Sequence, residues 1–388
     1  MYNTIINVKD ACTGCEACVQ ACPTKAIEFK PSKEGFLYPY IIQDKCINCG
    51  RCAKVCTQML SVLGNEPKFV YAGYSKDETL LEKSSSGAIF GVVAKAFIEN
   101  GGSVCAVTLS EDVWQAQFTF ADTIEQLMAM RGSKYVQAHV GNVFVEVQKR
   151  LKQGKKVLFA GCGCHVAGLK AFLKGDKENL FTVDIICHGV PSPKLFTTYI
   201  KALEKKGEIK DYSFRNKLAG WGMRISYKKN GKQYIKASAL DSYNSNFLNC
   251  YTYRESCYNC KFACSKRHGD WTIGDYWGIL KEHPEFYSEK GVSALLVNTQ
   301  KGEDMFSETN ENINYIPSTF NAVARHNENL LHPSSRPKER DNIYKGLEEK
   351  SPTSFVKENL KLRGSIKSII KALIPWQVKK LYQKGRLK

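Results

Sequence analysis

Eight of the sixteen cysteines lie in the first 62 residues and fall into two runs of one pattern. Cys12-x2-Cys15-x2-Cys18-x3-Cys22 is followed by Pro23, and Cys46-x2-Cys49-x2-Cys52-x3-Cys56 repeats it. No other feature limits the fold so strongly, because eight thiols this close must be met by disulfides or by metal. Met1–Asp10 has no basic start followed by a long apolar run, so no secretory signal is read. The thiols are therefore expected in a reducing cytoplasm, where clustering points to metal or redox chemistry rather than disulfides. Zinc is disfavoured by the interlocking of two runs of four, since zinc sites usually pair two cysteines with two further ligands.

The spacing resembles that of the bacterial two-cluster ferredoxins. In that pattern a tight loop brings three thiolates to one cubane and the fourth cysteine of each run ligates the other cluster. Cys12, Cys15, Cys18 and Cys56 then belong to one [4Fe–4S] centre, and Cys46, Cys49, Cys52 and Cys22 to the second. Thr57 stands where many such domains have a second proline, which removes no ligand. The resemblance covers about residues 5–60. It implies electron passage through this region and leaves the destination open.

The chain has 388 residues, 43% of them apolar and 24% charged, enough to build a sizeable core in two or three domains. Residues 1–62 form the cysteine-rich region, and Gly64-Asn65-Glu66-Pro67 reads as a turn or linker. In residues 68–345 strands and helices alternate. Helices are expected at Ala88–Asn100, Val140–Gln153, Cys164–Leu173 and Pro193–Lys206. Strands are expected at Val104–Leu109, Lys156–Ala160, Leu180–Cys187 and Val292–Asn298. Met223–Lys229 and Gln233–Ala237 flank Asn230-Gly231, a strong hairpin signal. The expected fold is an α+β ferredoxin-like two-cluster domain, followed by an α/β domain with a largely parallel sheet and an antiparallel insertion. The longest apolar stretches, such as Val157–Leu169, are Gly-rich and broken by His165, so no membrane-spanning helix is expected. Residues 346–388 are a basic tail. Lys361–Lys388 alone carries nine Lys/Arg and no Asp or Glu, half of the net charge of +18.

The other eight cysteines are Cys105, Cys162, Cys164, Cys187, Cys250, Cys257, Cys260 and Cys264. Cys257-x2-Cys260-x3-Cys264 has metal-ligand spacing, but a [4Fe–4S] cluster usually needs four thiolates. Cys162 and Cys164 follow one expected strand and Cys187 ends the next. In a parallel sheet such strand ends share one edge, a physical route to a third cluster. The alternative is that these thiols are buried small hydrophobes, above all Cys105.

Several segments resemble the coenzyme F420 hydrogenase/dehydrogenase β-subunit family. They are Lys83-Ser84-Ser85-Ser86-Gly87, Arg131-Gly132-Ser133-Lys134-Tyr135, Val157-Leu158-Phe159-Ala160-Gly161 and Cys164-His165-Val166-Ala167-Gly168-Leu169. Further along come Ile186-Cys187-His188-Gly189-Val190-Pro191-Ser192, Phe214-Arg215-Asn216-Lys217, Cys257-Tyr258-Asn259-Cys260 and Ile273-Gly274-Asp275-Tyr276-Trp277-Gly278. The resemblance spans about residues 68–300. It implies an iron–sulfur flavoprotein that passes electrons between clusters, a flavin and a two-electron acceptor such as the deazaflavin F420. It implies Cys164, Cys187, Cys257 and Cys260 as ligands of a third [4Fe–4S] cluster. Gly161-Cys162-Gly163-Cys164 departs from the Gly-Thr-Pro-Cys common in relatives, so Cys162 competes as a ligand, and Cys264 is a further spare thiol.

A flavin, FAD or FMN, needs backbone N–H groups and positive charge for its phosphates. The expected contacts are Ser85, Ser86 and Gly87 before the helix near Ala88, Arg131, Gly132, Ser133 and Lys134, and His188. A Ser-rich helix cap is as readily only a cap. His165 and His188 either bond a cluster or flavin, or are simply packed. Asp275 either reaches the site or caps a turn. No catalytic side chain is singled out, because cofactors carry the chemistry in this class.

In the tail, Ile366, Ile369, Ile370, Leu373 and Ile374 fall at helical spacing among lysines. That reads as an interfacial helix on the inner face of a membrane, or as a helix docked on its own domain. No nucleic-acid motif is present. The expected activity is hydride exchange with an F420-like or other organic partner, with a place in polysaccharide biosynthesis suggested by the resemblance. The competing readings are a non-enzymatic subunit relaying electrons to a redox protein, and a binding protein with structural clusters.

Overall fold

The computed structural model describes residue 5, residues 8–61, 64–218 and 220–364, and residues 370 and 373. The amphipathic pattern at Ile366–Ile374 and the rest of the basic tail beyond it lie outside the described residues, those two positions apart.

The cysteine-rich region is a hairpin flanked by two short helices. Strands β1 (Ile27–Pro31) and β2 (Leu37–Ile41) pair antiparallel. Each cysteine run enters a helix, Ala17–Ala21 and Arg51–Lys54. Both helices open from a left-handed residue, Glu16 at φ +57° and Gly50 at φ +69°.

The rest is built on strands β3 (Phe69–Ser75), β4 (Ser103–Ser110), β5 (Gln115–Ala121), β6 (Val157–Cys162) and β7 (Leu180–Ile185). β8 (Ile209–Ser213), β9 (Arg224–Lys229) and β10 (Lys232–Ala237) follow. β11 (Trp271–Asp275), β12 (Ser293–Val297) and β13 (Ile313–Pro317) complete the strands among the described residues. An eight-stranded sheet has the order β13-β3-β12-β11-β7-β6-β4-β5. Only the neighbours β11/β7, β7/β6 and β6/β4 are parallel. The expectation of a largely parallel sheet is corrected: the sheet is mixed. β12 returns between β3 and β11, and β5 and β13 close the edges antiparallel. The βα alternation concealed this because β5, Gln115-Ala-Gln-Phe-Thr-Phe-Ala, joins β4 by a short hairpin with no helix between. The Asn230-Gly231 hairpin forms in a separate antiparallel sheet, β10-β9-β8.

The central strands are buried on both faces, and their side chains alternate between two cores. Val157 and Phe159 of β6 face one core, while Leu158 and Ala160 face the other. The helices Ile89–Glu99 and Ile124–Met130 cover the second core. Val143–Lys152, Gly163–Phe172 and Pro193–Glu204 cover the first. That first core also takes in Ala17, Phe36 and Val55, so the cysteine-rich region shares it. Leu347, Phe355 and Leu360, counted by composition with the basic tail, are buried in the same core.

Polar contacts fasten the cysteine-rich region to that face. Glu16 is buried, and its carboxylate accepts from Val140 N (2.9 Å), Gly141 N (3.0 Å) and His139 Nδ1 (2.9 Å). Gln20 Oε1 accepts from Phe144 N at 2.8 Å and Val145 N at 3.2 Å. The helix Val143–Lys152 has no side-chain cap of its own, so Gln20 satisfies two of its free N–H groups from outside, and Glu16 those of the turn just before it. On the far side, Arg340 clamps Glu34 through two hydrogen bonds and is itself 1% exposed.

Candidate functional site

The two cysteine runs interlock as the spacing requires. Cys12, Cys15, Cys18 and Cys56 line one cavity with Thr13, Glu16 and Ala17. Cys22, Cys46, Cys49 and Cys52 line the other with Ile47, Asn48 and Arg51. Each cavity thus receives three thiols from one run and the fourth from the other, the donor set a cubane cluster needs. The sites differ in depth. Burial pushes the Cys15 thiol up to about 12, with the neighbouring Cys12, Cys164 and Cys56 adding to it. Burial likewise raises Cys18 and Cys56. Cys49 is exposed, and Cys22 is held below the ordinary thiol range by hydrogen bonds that outweigh its partial burial, the first from Ala26 N at 3.2 Å.

A third gathering of thiols sits at the carboxyl edge of the parallel strands. Cys162 ends β6, Cys164 opens the helix after it, and Cys187 lies two residues beyond β7. Cys257 comes from the helix Glu255–Tyr258, and Cys260 follows it. These thiols act on one another. Cys162 bonds both Cys164 and Cys187, which raises its pKa and lowers that of Cys187. Burial raises Cys257 well above the thiol range and Cys260 to about 12, and both feel Cys164 and Cys187. Beneath them Arg267 pairs with buried Asp184 at 3.0 Å. A cubane spreads its thiolates over four irons, so its ligands ring a space rather than crowd a point. Among the described residues no three ligating side chains crowd one ion position.

The four cysteines implied by the resemblance are thus brought together, with Cys162 among them. Cys264 is absent from this group and donates to the carbonyls of Lys261 and Lys266. Cys105 is fully buried in the core. His165 packs edge-on against Phe118, with centroids 5.0 Å apart, and burial lowers it to about 4. The third thiol set also meets the first. The helix Gly163–Phe172 lies so close to Cys15 that a Cβ on Gly168 would stand 3.1 Å from the Cys15 Sγ.

Along the same edge lies a cluster of polar side chains. Ser85 Oγ accepts from Ser133 N at 2.8 Å and lies 3.0 Å from Ser133 Oγ, which joins two of the segments expected to bind a flavin. Gly87 is required by close approach, since a Cβ there would meet Gly73 O at 2.3 Å. Ser86 turns inward and donates to Val292 O. Lys134 is committed to structure: its ammonium donates to the carbonyls of Met130 (2.8 Å) and Arg131 (3.0 Å), ending the helix Ile124–Met130. Burial brings Lys134 down to about 7. Arg131 keeps Nε and Nη1 buried without a partner, and burial lowers its pKa while Asp77 opposes that. His188 is held below the ordinary histidine value by burial, against the pull of Asp275.

At the centre of this cluster Arg215 carries no role read from sequence, while Asp275 reads as reaching the site or capping a turn. Arg215 is buried, forks onto Asp275 at 2.8 and 2.9 Å, and reaches Tyr135 OH and Ser85 O. Burial works against its charge, but Asp275 and Tyr135 outweigh it and hold the proton firmly. Trp221 Nε1 donates to Asp275 at 2.9 Å, and its ring stacks on Trp277 with centroids 5.3 Å apart. Burial takes Lys217 to about 7, with Arg215 and Lys290 adding to the shift. The signal was present in Phe214-Arg215-Asn216-Lys217 and Ile273–Gly278, which carried the resemblance without a role for each residue.

The unpartnered guanidinium nitrogens of Arg131 and the flat Trp221–Trp277 pair suit a planar, anionic cofactor, whereas Lys134 and Lys217 are spent on backbone carbonyls. Among the described residues no helix is long and apolar enough to cross a membrane.

Comparison with known families matches the description "4Fe-4S dicluster domain" over residues 11–59. It matches the amino-terminal half of "Coenzyme F420 hydrogenase/dehydrogenase, beta subunit" over residues 70–144 and the carboxy-terminal half of the same family over residues 154–318. No curated protein matches. Among solved structures, the chain is similar to one in the F420-reducing [NiFe] hydrogenase complex from Methanosarcina barkeri. Identity is 16%, 68% of this chain and 88% of that one are covered, and the TM-score is 0.48. With both halves matched in order behind an iron–sulfur region, the chain belongs to the coenzyme F420 hydrogenase/dehydrogenase β-subunit family and carries an amino-terminal 4Fe-4S dicluster domain.

Proposed function

We propose that the chain is an iron–sulfur flavoprotein oxidoreductase with three [4Fe–4S] centres and one flavin, exchanging hydride with an organic two-electron partner of the F420 kind. One observation carries this reading. The outer set at Cys49 is exposed and the inner set at Cys15 is buried, Cys15 feels Cys164 of the third set, and His188 beside Cys187 feels Asp275 of the Arg215 cluster, so each group has the next as its neighbour. Bound clusters carry single electrons, and a flavin converts them to pairs.

The chain's own residues hold these groups and set their charge. Cys12, Cys15, Cys18 and Cys56 hold the inner cluster, and Cys22, Cys46, Cys49 and Cys52 the outer one. Cys164, Cys187, Cys257 and Cys260 hold the third, with Cys162 beside them. Arg131, Ser85, Gly132 and Ser133 receive the flavin's anionic part, while the Gly87 N–H is spent on Ser293 Oγ at 2.9 Å. Arg215 is fixed by Asp275, which balances its charge, and Trp221 with Trp277 offers a flat wall. His188, kept neutral by burial, closes the side towards Cys187.

Lys25, Lys45, Arg51 and Lys54 are exposed and lie within three residues in sequence of an outer-site cysteine, with Asp44 as an acidic neighbour, a basic surplus that suits an acidic protein as one-electron partner. The suggested place in polysaccharide biosynthesis has no residue of its own behind it. Membrane contact by the tail rests on the Ile366–Ile374 pattern, which lies outside the described residues but for positions 370 and 373.

The test is the iron, sulfide and flavin content of protein purified without oxygen. About twelve irons and one flavin per chain are expected, and reduction of F420 by the isolated protein would complete the case. About eight irons with no flavin after added FMN or FAD would overturn it in favour of a relay subunit.

A further inference from the structure

Arg254 stands between the two inner thiol sets and touches both. Its backbone carbonyl accepts from Cys257 N at 2.9 Å, and its N–H donates to Val190 O at 3.0 Å, which ties it to the third set. Its side chain crosses to the dicluster domain. Nε donates to the Cys12 carbonyl at 2.6 Å, and the guanidinium lies 3.9 Å from the centroid of the Tyr38 ring. Nη1 donates to Gln137 Oε1 at 3.2 Å. The Cys12–Cys15 loop bends around this group: Gly14 has φ +73°, and a Cβ there would stand 2.3 Å from Gln137 Nε2.

The residue is wholly buried, and Nη2 has no partner. Among the described residues no carboxylate lies within 4 Å of it, whereas buried Arg215, Arg267 and Arg340 each hold one. An uncompensated buried charge is costly, so a buried cation implies an opposing charge nearby. The four thiolates around the inner site supply that charge when iron is bound.

We propose that Arg254 is a positioning residue that sets the potential of the inner cluster. This rests on the cluster reading given above. A fixed positive charge in a dry setting stabilises the cluster more once it has accepted an electron, so it raises that cluster's potential. Among the described residues, the cations beside the outer-site cysteines in sequence are exposed, and water and salt screen them. Electrons reaching the outer cluster are thereby drawn inward, toward the third set.

Redox titrations of the full chain, followed by electron paramagnetic resonance, test this. Arg254→Gln removes the charge. Gln137→Glu keeps Arg254 and the shape of its partner but neutralises its field. Both variants should lower the inner cluster's affinity for an electron about tenfold, equivalent to about 59 mV for one electron. Arg254→Lys should restore most of the difference, which a purely structural strut would not require. Full iron with an unshifted inner potential in Gln137→Glu would overturn the proposal. So would loss of the inner cluster's iron from both charge-altering variants, which would make Arg254 a brace alone. A wild-type chain with fewer than about eight irons would overturn the underlying cluster reading instead.

Discussion

The two runs of the eight-cysteine repeat share a spacing and differ in what surrounds them. In the inner run Cys15 is followed by Glu16 and Ala17, and in the outer run Cys49 is followed by Gly50 and Arg51. Both Glu16 and Gly50 adopt the left-handed conformation that starts the next helix. Glycine takes it freely, while a glutamate held there costs on the order of 1–3 kcal/mol. Glu16 is held because its carboxylate meets three donors of the α/β domain. Ala17 is fully buried against that domain, and Arg51 is exposed. A repeat that is symmetric in its ligands is therefore asymmetric in its docking, which gives the relay an inside and an outside.

The largest expected effect separates this pair from the third set. Replacing Cys257 and Cys260 with Ala should remove about four irons per chain and leave the dicluster signals in place. Unchanged iron would mean that the third gathering of thiols holds nothing.

Exchanging the two distinguishing residues sharpens the contrast. Glu16→Gly relieves the backbone but strands the Val140 and Gly141 N–H groups, so a net loss of about 1–3 kcal/mol in unfolding free energy is expected. Gly50→Glu should cost about 1–2 kcal/mol with no compensating partner. Chemical denaturation of both variants checks this, and a harmless Glu16→Gly would show that docking does not depend on the carboxylate.

A smaller effect concerns the outside. Arg51→Glu should slow reduction by an acidic ferredoxin several-fold at low ionic strength, with the difference fading as salt rises. Dithionite, a small reductant, should act on both proteins alike. Equal ferredoxin rates at low salt would remove the basic rim from partner recognition.

The smallest effect is one of pH. The hydrogen bond to Glu16 raises the His139 pKa, against partial burial. A group whose pKa is raised by folding stabilises most when protonated. Its contribution is full below about pH 6.5, the ordinary histidine value, and is lost as pH rises through the higher folded value. Unfolding midpoints should therefore fall slightly across that window in the wild type and not in His139→Gln. Parallel curves would exclude the pair as a source of stability.

Local chemistry was legible in the sequence and long-range assembly was not. The dicluster thiols lie in two short runs, and the spacing gave the two groups of four that line the two cavities. Individual elements such as β6 and the helix Pro193–Glu204 followed from apolar runs and a proline start. The mixed character of the sheet was hidden because β12, Ser293-Ala-Leu-Leu-Val, reads the same whichever way it runs between β3 and β11. Lys134 looked like a phosphate ligand, and only the chain path shows it ending the helix Ile124–Met130. Arg215 and Asp275 are 60 residues apart and meet solely through the fold. Glu16 left a mark that a comparison of the two runs exposes: a charged residue where its counterpart is glycine.

The clasp between Glu34 and Arg340 joins positions 306 residues apart. A ribosome adding about 5–20 residues each second needs roughly 15–60 s to travel that distance. The eight dicluster thiols leave the ribosome early in that interval, and the surfaces that will cover Cys15 follow from Val140 onward. Until those segments are made, the Cys15 thiol lacks the neighbours that bury it. The fold thus sets an order in time as well as in space: thiols first, then their cover.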